Sequence, residues 1–334
     1  MKAKKLAIVG ATGAVGQEML KVLEKRNFPY DELVLLASAR SAGKKINFRG
    51  QEYTVQELKE DSFKGIDLAL FSAGGSITKK FAPVAVESGT IVVDNSSAYR
   101  MDPEVPLVVP EINPQDAKKH KGILANPNCS TIIMLMAVYP IHKLYGIKRI
   151  VVSTYQAASG AGAAAMQELE DQAKAMLAGD QPPTEAFPFP LAFNVFSHNS
   201  SLYPDNGFNQ EEVKMVKESH KILGTESIRI SPTCIRVGTF RAHAESIHME
   251  LDREGDLDEV RKALSGFPGV QLKDDTEKNH FPMPLEVSGQ DDVFVGRIRW
   301  DLGDEGHKNL QLFCVGDQLL KGAALNAVQI AEIL

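Results

Sequence analysis

The sequence is poor in cysteine, has no long apolar run and carries no excess of basic charge. Its three cysteines, Cys129, Cys234 and Cys314, are odd in number and widely spaced, so they form neither a disulfide framework nor a CxxC metal pair. We therefore expect a reducing, cytoplasmic setting and no metal site. The 37 basic residues are outnumbered by 43 acidic ones, which argues against a nucleic-acid partner but allows a local basic pocket for a small anion.

No apolar stretch reaches the roughly 18 residues that a membrane span needs, so we expect no membrane-spanning segment. Basic residues precede a short apolar run at the N-terminus, as in a signal peptide, but glycines interrupt that run at once. The pattern is more typical of a strand entering a turn. The chain does have 334 residues, of which 43% are hydrophobic, and this is enough for about two globular domains.

A glycine-rich turn after the first apolar run indicates a nucleotide-binding segment. Residues 4–9 resemble a strand, GATGAVG occupies positions 10–16, and residues 17–27 have apolar positions at helical spacing. Strand, glycine turn and helix are the context of a dinucleotide fingerprint, in which glycines let the backbone approach a pyrophosphate and the helix N-terminus supplies N–H donors. The spacing is GxxGxxG rather than GxGxxG, so a tight turn without a ligand is the alternative.

The end of the second predicted strand bears on the choice between NAD and NADP. An NAD site needs an acidic residue there for the ribose 2′-hydroxyl. The strand at 32–37 has none, and SARSAGK follows it. Arg40 in that stretch can accommodate a 2′-phosphate, which favours NADP. A solvated basic loop is the alternative.

Strands alternate with helices through the first 130 residues, which we take as the nucleotide domain. Segments 66–73, 90–97 and 122–128 have the composition of strands, and 77–88 that of a helix. This alternation predicts an α/β fold with a parallel, Rossmann-type sheet, whose ligands lie beyond the carboxyl ends of the strands. Cys129 follows the last of these strands, so we expect it at the nucleotide-binding edge.

The pattern changes after about residue 130, where we place a second, α+β domain for catalysis and dimerisation that extends to residue 316. Four stretches have the alternating polarity of strands: 148–157, 228–252, 291–301 and 309–316. They predict a mixed or antiparallel sheet. The proline-rich stretch 181–190 is expected to be a surface loop or an arm on a partner, which favours a homodimer or homotetramer. An apolar helix at about 317–334 is expected to pack back on the first domain.

The stretch NPNCST at 126–131 puts a cysteine where a loop enters an apolar helix. Unpaired N–H groups at a helix start favour an anion, which for Cys129 is the thiolate. Arg236 and His243 lie close together in CIRVGTFRAHAE, and these residue types suit carboxylate binding and proton transfer. Two structural alternatives stay open, since a lone histidine is more often structural and Cys129 could be a small residue packed under a turn.

Together these stretches resemble the aspartate-β-semialdehyde dehydrogenase family over nearly the whole chain. The resemblance is carried by GATGAVG, SARSAGK, DNSSAYR, VPEIN, NPNCST, YQAASGAG, EEVKMVKESHKIL, CIRVGTFRAH and KGAALNAVQIAE. It implies an NADP-dependent, phosphorylating aldehyde dehydrogenase that converts L-aspartyl 4-phosphate to L-aspartate 4-semialdehyde through a cysteine acyl-thioester. Such an enzyme serves the biosynthesis of lysine through diaminopimelate, and of threonine, methionine and isoleucine.

The resemblance also implies roles for particular residues. Cys129 would be the nucleophile, with Asn128 beside it. Gln156 would orient the acyl group, and His243 would be the acid/base. Four residues would hold the substrate: Arg236 on the α-carboxylate, Arg100 and Lys221 on phosphate, and Glu218 near the amine. Ten would contact NADP: Gly10, Thr12, Gly13, Ala14, Val15, Arg40, Ser41, Ser159, Gly160 and Gln318.

Two positions depart from the family pattern, and two other protein classes stay open. Gln318 stands where the family often has asparagine, so a contact with the nicotinamide amide would need a longer arm. Ala244 stands where serine is expected, which puts a hydroxyl hydrogen bond to His243 in doubt. N-acetyl-γ-glutamyl-phosphate reductase shares the thioester chemistry, but its cysteine motif is typically Pro-Gly-Cys-Tyr. A non-catalytic NADP-binding protein is the other alternative, and an intact catalytic set argues against it.

Overall fold

The computed structural model describes residues 3–334, which divide into two compact units. The first unit contains the chain up to Asn128 together with Ala323–Leu334, and the second contains Cys129–Gly322. Each unit has its own sheet and its own buried apolar side chains.

The first unit is built on a parallel sheet. Its elements are, in chain order, β1 (Ala3–Val9), α1 (Ala14–Lys25), β2 (Tyr30–Ala37), β3 (Lys45–Phe48), β4 (Gln51–Thr54), β5 (Gln56–Glu57), β6 (Leu68–Phe71), α2 (Gly75–Glu87), β7 (Ile91–Asp94) and β8 (Ile123–Ala125). The sheet order is β5-β2-β1-β6-β7-β8 with parallel pairs throughout, and β3 and β4 form a separate hairpin. The expected Rossmann-type sheet is confirmed.

The central strands form because unbroken apolar runs can be buried on both faces of a parallel sheet. The side chains of residues 6–9 in β1 are completely buried. Gly10 then has φ +88°, and a Cβ there would lie 2.8 Å from Ser72 Oγ. A Cβ on Gly16 would overlap the carbonyl oxygen of Gly10, so α1 can pack this closely against the turn only with glycine at position 16.

The second unit is built on a mixed sheet. Its elements are α3 (Cys129–Tyr145), β9 (Ile147–Gln156), α4 (Ala163–Ala178), β10 (Val195–Ser197), α5 (Gln210–Leu223), β11 (Arg229–Val237), β12 (His243–Leu251), α6 (Leu257–Ser265), β13 (Val270–Leu272), α7 (Pro284–Val287), β14 (Val293–Trp300) and β15 (Asn309–Gly316). The order is β10-β11-β9-β12-β15-β14-β13, in which β9–β11 and β13–β14 are parallel and the other pairs antiparallel. The expected mixed sheet is confirmed.

One face of this sheet is buried along the whole of β12, as the alternation from Glu245 onward demonstrates. His243, Glu245 and Ile247 are buried, whereas Ser246 between them is exposed. Successive strand residues point to opposite faces, and α3 packs against β9, β12, β14 and β15. The face that carries His243 is therefore the face toward α3.

The chain ends in a helix of the first unit. A π-helical turn at Leu320–Ala324 precedes α8 (Leu325–Glu332), which packs against α1. Asn326 Nδ2 donates to the carbonyl oxygen of Val108 at 3.0 Å and to Asn126 Oδ1 at 2.6 Å. The terminal helix thus holds the loop that leads to Asn128, and it begins later than the expected residue 317.

Candidate active site

Cys129 is the first residue of α3 and is half-buried. A Cβ on Gly322 would lie 2.8 Å from Cys129 Cβ, so a glycine is needed beside the thiol. The next residue, Ser130, accepts a hydrogen bond at its Oγ from Gln156 Nε2 over 2.9 Å. The start of α3 is therefore tied to the end of β9.

Three buried polar side chains lie side by side at the ends of neighbouring strands. Arg236 on β11 pairs with Gln156 on β9. Because Ala244 on β12 pairs with Tyr155, His243 comes next to Gln156 on its other side. Their exposures are 5%, 1% and 0% for the arginine, glutamine and histidine. The sheet register alone thus assembles three of the side chains for which the sequence predicted a role.

His243 is held by the main chain at one ring nitrogen and is open at the other. Its Nδ1 accepts a hydrogen bond from the N–H of Ala157 at 3.0 Å, while its buried Nε2 has no partner among residues 3–334. Burial, and then the charge of Arg236, lower the pKa of His243 to about 3. A Cβ on Gly160 would lie 2.9 Å from Nε2 and 3.1 Å from Arg236 Nη1. The glycine therefore leaves room in front of both groups.

The guanidinium of Arg236 is fixed in place by neighbours. Its Nη1 donates to the carbonyl oxygen of Ala157 and its Nε to Asn199 Oδ1, both at 3.2 Å. The group lies 5.8 Å from the centre of the Phe187 ring. Burial lowers the pKa of Arg236, and the charge of Glu211 opposes that shift. A preformed cationic fork of this kind suits a carboxylate.

Helix α5 carries the predicted Glu218 and Lys221 three residues apart, which places them on one helix face. Glu218 is 1% exposed and Lys221 is half-buried. The helix begins with a capping box, in which Asn209 and Glu212 exchange two hydrogen bonds of 2.9 Å. Glu212 also accepts the N–H of Cys234 at 3.0 Å, which anchors α5 to β11.

The glycine turn of the first unit borders a cavity of about 310 Å³. Its lining includes Gly10, Thr12, Gly13, Ser38 and Ser72. The N-terminus of α1 at residue 14 supplies main-chain donors beside this cavity. Hydroxyl groups, main-chain donors and glycines without Cβ atoms fit a dinucleotide phosphate.

The remaining predicted cofactor residues of the first unit frame the same region. Ala14 and Val15 are the first residues of α1. Thr12 Oγ1 donates to Ser41 Oγ at 3.3 Å, which links the glycine turn to the 3-10 turn Ala39–Ser41. Arg40 in that turn is exposed, so its guanidinium is accessible to an anion.

Arg100 lies in the first unit and is 8% exposed. Its Nε donates to the carbonyl oxygen of Asn126 and its Nη2 to that of Asn95, both at 2.9 Å. The side chain therefore braces the loop that leads to Asn128, which is itself buried. The contact with phosphate that the sequence predicted remains a prediction.

Known proteins resemble this chain along nearly its full length. Residues 5–120 match the model of the semialdehyde dehydrogenase NAD binding domain, and residues 138–321 match that of the semialdehyde dehydrogenase dimerisation domain. The aspartate-semialdehyde dehydrogenase of Synechocystis is 54% identical over 331 residues, which cover 99% of this chain and 97% of the relative. The chain belongs to the aspartate-semialdehyde dehydrogenase family. The family and the enzyme class that the sequence predicted are confirmed.

Solved members of the aspartate-semialdehyde dehydrogenase family share the fold. Aspartate semialdehyde dehydrogenase II from Vibrio cholerae is 45% identical with a TM-score of 0.95, over 100% of this chain and 98% of that one. The same enzyme in complex with ASA is 44% identical with a TM-score of 0.96, over 100% of this chain and 98% of that one. The match to the Candida albicans enzyme with NADP covers 99% of this chain and 98% of that one. At 24% identity and a TM-score of 0.75, it shows a shared fold.

Gln318, one of the two departures from the family pattern, bridges two segments of the second unit. Its Oε1 accepts the N–H of Ala242 at 2.9 Å, and its Nε2 donates to Ser159 Oγ. Ala242 directly precedes His243 and has a φ of +71°, a conformation that alanine rarely adopts. The amide thus connects the predicted cofactor residue Ser159 with the entry to β12.

Ala244, the other departure, has no part in holding the His243 ring. Neighbouring residues on a strand point to opposite faces, and Ala244 packs in an apolar cluster with Val287, Phe294 and Val315. A serine there would point away from His243. The hydrogen bond to the ring comes instead from a main-chain amide.

Several residues at the site had no sequence signal of function. Asp317 is completely buried and accepts hydrogen bonds from Arg241 Nε at 2.6 Å and from the N–H of Gly289 at 2.7 Å. It thereby fixes the loop before β12. An aspartate beside Gln318 in a polar turn could have been suspected as a helix cap. The role of Ala157 depends on its main-chain N–H, which the amino-acid sequence does not indicate.

Neither a membrane helix nor a metal cluster occurs in the part of the chain that the structure describes. Between residues 3 and 334, no helix is both long and apolar enough to cross a bilayer. The same residues contain no group of three or more His, Cys, Asp or Glu side chains arranged to bind a metal ion.

Proposed function

We propose that the chain reduces L-aspartyl 4-phosphate to L-aspartate 4-semialdehyde and catalyses the reverse reaction with phosphate. The observation that best supports this is the row of Arg236, Gln156 and His243 in the unit that begins with Cys129. A thiol nucleophile, a histidine and a carboxylate-binding fork are the groups that acyl transfer from an amino-acid derivative needs. A Vibrio cholerae relative has been solved in complex with ASA.

The cofactor we propose is NADP rather than NAD, bound by the nucleotide domain of about residues 1–130. The glycine turn, the cavity beside it and the N-terminus of α1 support a dinucleotide. Exposed Arg40 at the end of β2 supports the 2′-phosphate. NADP supplies or accepts the hydride when it is bound.

The chain's own residues would then divide the work on the substrate. In the reductive direction, the Cys129 thiolate attacks the acyl phosphate carbonyl, phosphate leaves and a thioester forms. Gln156, already hydrogen-bonded to Ser130, would orient the acyl group beside the nucleophile. His243 would act at the carbonyl oxygen as the acid/base group.

Four residues would hold the substrate's charged groups. Arg236 would bind the α-carboxylate through its preformed fork. On α5, Glu218 would pair with the α-amine and Lys221 with phosphate. Arg100 would be the second phosphate ligand. Because phosphate takes part in only one half-reaction, loss of a phosphate ligand should spare the redox half.

The family and this activity imply a place in amino-acid biosynthesis, in the branch common to lysine, threonine and methionine. We propose that the protein works in the cytoplasm as a homodimer or homotetramer. The match of residues 138–321 to a dimerisation domain supports an oligomer. The three cysteines, two of them buried, form no disulfide within residues 3–334, which suits a reducing compartment.

The test is phosphate-dependent formation of NADPH from L-aspartate 4-semialdehyde and NADP⁺, run in parallel with N-acetylglutamate semialdehyde. We expect turnover of L-aspartate 4-semialdehyde and none of N-acetylglutamate semialdehyde. Without phosphate, we expect no NADPH beyond a single equivalent relative to the enzyme. Cys129→Ser should bind NADPH but lose more than about 95% of turnover, because a serine hydroxyl is far less ionised than a thiol. Preference for the acetylated substrate, or an active Cys129→Ser variant, would overturn the proposal.

A further inference from the structure

The side chain of Asn199 contacts the buried guanidinium of Arg236. Its Oδ1 accepts a hydrogen bond from Arg236 Nε at 3.2 Å. Arg236 is 5% exposed, whereas Asn199 is an exposed residue. Asn199 lies in none of the stretches that carry the family resemblance. The contact therefore joins a buried cation to a surface residue whose role no motif indicates.

The residues on either side of Asn199 in the chain hold it in place. The N–H of His198 donates to the carbonyl oxygen of Cys234 on β11 at 2.9 Å, next to the pairing of β10 with β11. Ser200 Oγ accepts the N–H of Glu211, in the first turn of α5, at 3.2 Å. Asn199 thus extends from an anchored segment, so its side chain can be ordered at a small cost in entropy.

The hydrogen bonds of the guanidinium determine which of its donors can meet a ligand. Nε is used by Asn199, and Nη1 donates to the carbonyl oxygen of Ala157 at 3.2 Å. A guanidinium has donors on three nitrogens, so a second hydrogen on Nη1 and both hydrogens on Nη2 are engaged in neither bond. Gly160 leaves space in front of Nη1, since a Cβ there would lie 3.1 Å away. A carboxylate can therefore meet the end formed by Nη1 and Nη2, while Asn199 closes the side formed by Nε and Nη2.

The amide of Asn199 orients the guanidinium without neutralising it. An amide oxygen accepts a hydrogen bond but carries no net charge. An aspartate in its place would bind the same nitrogen more strongly, but its charge would compete with the carboxylate of a ligand. Asparagine is thus a residue type that fixes this cation and leaves its charge for the ligand.

We propose that Asn199 is a positioning residue for Arg236, which it holds at Nε so that the Nη1–Nη2 end of the guanidinium faces the α-carboxylate of the substrate. This inference rests on the proposed function for the identity of the substrate, but not for the contact between the two side chains. The α-carboxylate keeps the same charge throughout the reaction. Asn199 therefore contributes to substrate binding rather than to the chemical step.

Steady-state kinetics with L-aspartate 4-semialdehyde, NADP⁺ and phosphate tests the effect on substrate binding. Asn199→Leu has a similar size but no acceptor, and we expect its KM for the semialdehyde to rise about tenfold with kcat changed less than about threefold. Asn194→Leu is the matched control, because Asn194 is exposed in the same segment and bonds to Pro190 and Val195 instead. It should keep KM within about twofold. A fall in kcat at unchanged KM, or an equal rise of KM in both variants, would overturn the proposal.

A second comparison shows whether the effect passes through Arg236. Arg236→Lys keeps the positive charge but removes the guanidinium and its Nε donor. Adding Asn199→Leu to Arg236→Lys should change KM by less than about twofold, because the contact that the second substitution removes is already lost. A rise as large as that in the single variant would mean that Asn199 acts on another group, and the proposal would be wrong.

The contact itself can be measured by NMR without turnover. In the full-length protein labelled with [¹⁵N]arginine, the Nε–H signal of Arg236 is identified by its loss in Arg236→Lys. We expect its exchange with water at about pH 6 to be at least about tenfold faster in Asn199→Leu than in the unaltered protein, because the acceptor is gone. An unchanged exchange rate would contradict the proposal. If the unaltered protein does not turn over the semialdehyde, the proposed function fails, and the exchange rate still decides whether Asn199 holds Arg236.

Discussion

At the scale of single residues, Gly160 controls access to two buried polar groups of the site, His243 and Arg236. Alanine there would put a methyl group 2.9 Å from His243 Nε2 and 3.1 Å from Arg236 Nη1, so one of these side chains must move. A displacement of about 1 Å at a reacting centre can lower rates about 10²-fold. We expect Gly160→Ala to lose activity on that scale.

The fold should survive the Gly160 substitution, because the added methyl meets flexible side-chain ends rather than main chain. The measurement is kcat/KM beside the urea unfolding midpoint. Gly306→Ala adds the same methyl in an exposed loop of the same unit and serves as the control. Normal activity in Gly160→Ala would mean that the space is not used by the substrate or by the cofactor.

Glu245 is a buried carboxyl whose oxygens have no hydrogen-bond partner within residues 3–334. Burial raises its pKa well above 4.5. Its contribution to stability is therefore fully present below about pH 4.5 and is lost as the pH rises through the raised pKa. Glu245→Gln has no such loss. As the pH rises, the free energy of unfolding of this variant should therefore increase relative to that of the unaltered protein, by up to about 1.4 kcal/mol per pH unit.

Urea unfolding of both proteins at several values between about pH 5 and 8 measures that difference. Glu250→Gln, on the same strand but with its side chain 36% exposed, is the control and should show little pH dependence relative to the unaltered protein. A constant difference for Glu245→Gln would show that the carboxyl carries its charge in the folded state.

At the scale of elements, the proposed preference for NADP rests on the 3-10 turn Ala39–Ser41, which carries Arg40. Arg40→Asp should raise KM for NADPH strongly and leave NADH binding equal or better, because the charge facing the 2′-phosphate is inverted. Binding of both cofactors is followed by fluorescence titration, and Lys44→Asp, a few residues along, is the matched charge reversal. An equal loss for NADPH and NADH would show that Arg40 acts on the order of the turn.

Local patterns were sufficient to predict the elements that carry the site. The glycine turn before α1 and Cys129 at the start of α3 follow from neighbouring residues, since turns and helix starts are determined locally. The contacts that complete the site join residues far apart in the chain. Ala157 and His243 are 86 residues apart, and Ala242 and Gln318 are 76 apart. Both use a main-chain N–H, which every residue except proline has, so side-chain chemistry could not indicate them.

At the scale of the whole molecule, the order of strands within each sheet explains why the two sheets differed in how far they could be predicted. Alternation of strands and helices predicts a parallel sheet without any long-range information. In the second unit, β9 pairs with both β11 and β12, and hydrophobic periodicity does not specify such pairings. Arg236 and His243 could be suspected together because they lie close in the chain, whereas Gln156 could be added to them only through the family resemblance.

Half-buried His198 and the completely buried His243 and Glu245 make the stability of the molecule depend on pH in opposite directions. The pKa values of His198 and His243 are lowered to about 4 and about 3, first by burial. Stability from each histidine is present above its unfolded value of 6.5 and is lost as the pH falls toward these values. Glu245 acts in the opposite sense, because the folded state takes up its proton first. Each histidine costs up to about 1.4 kcal/mol per pH unit between 6.5 and its lowered pKa, and Glu245 returns at most one such share, so the three groups together give a loss of stability as the pH falls below about 6.

We therefore expect the unfolding midpoint in urea to fall between pH 6.5 and 5, and the slope to depend on each group separately. His198→Gln should make the loss of stability per pH unit smaller by the contribution of one titrating group, because glutamine has no proton to gain on unfolding. Glu245→Gln should make that loss larger by the contribution of one group. Exposed His307→Gln is the control and should leave the slope unchanged. If His198→Gln and His307→Gln give the same slope, then His198 is charged in the folded protein. The acid sensitivity would in that case arise from other groups.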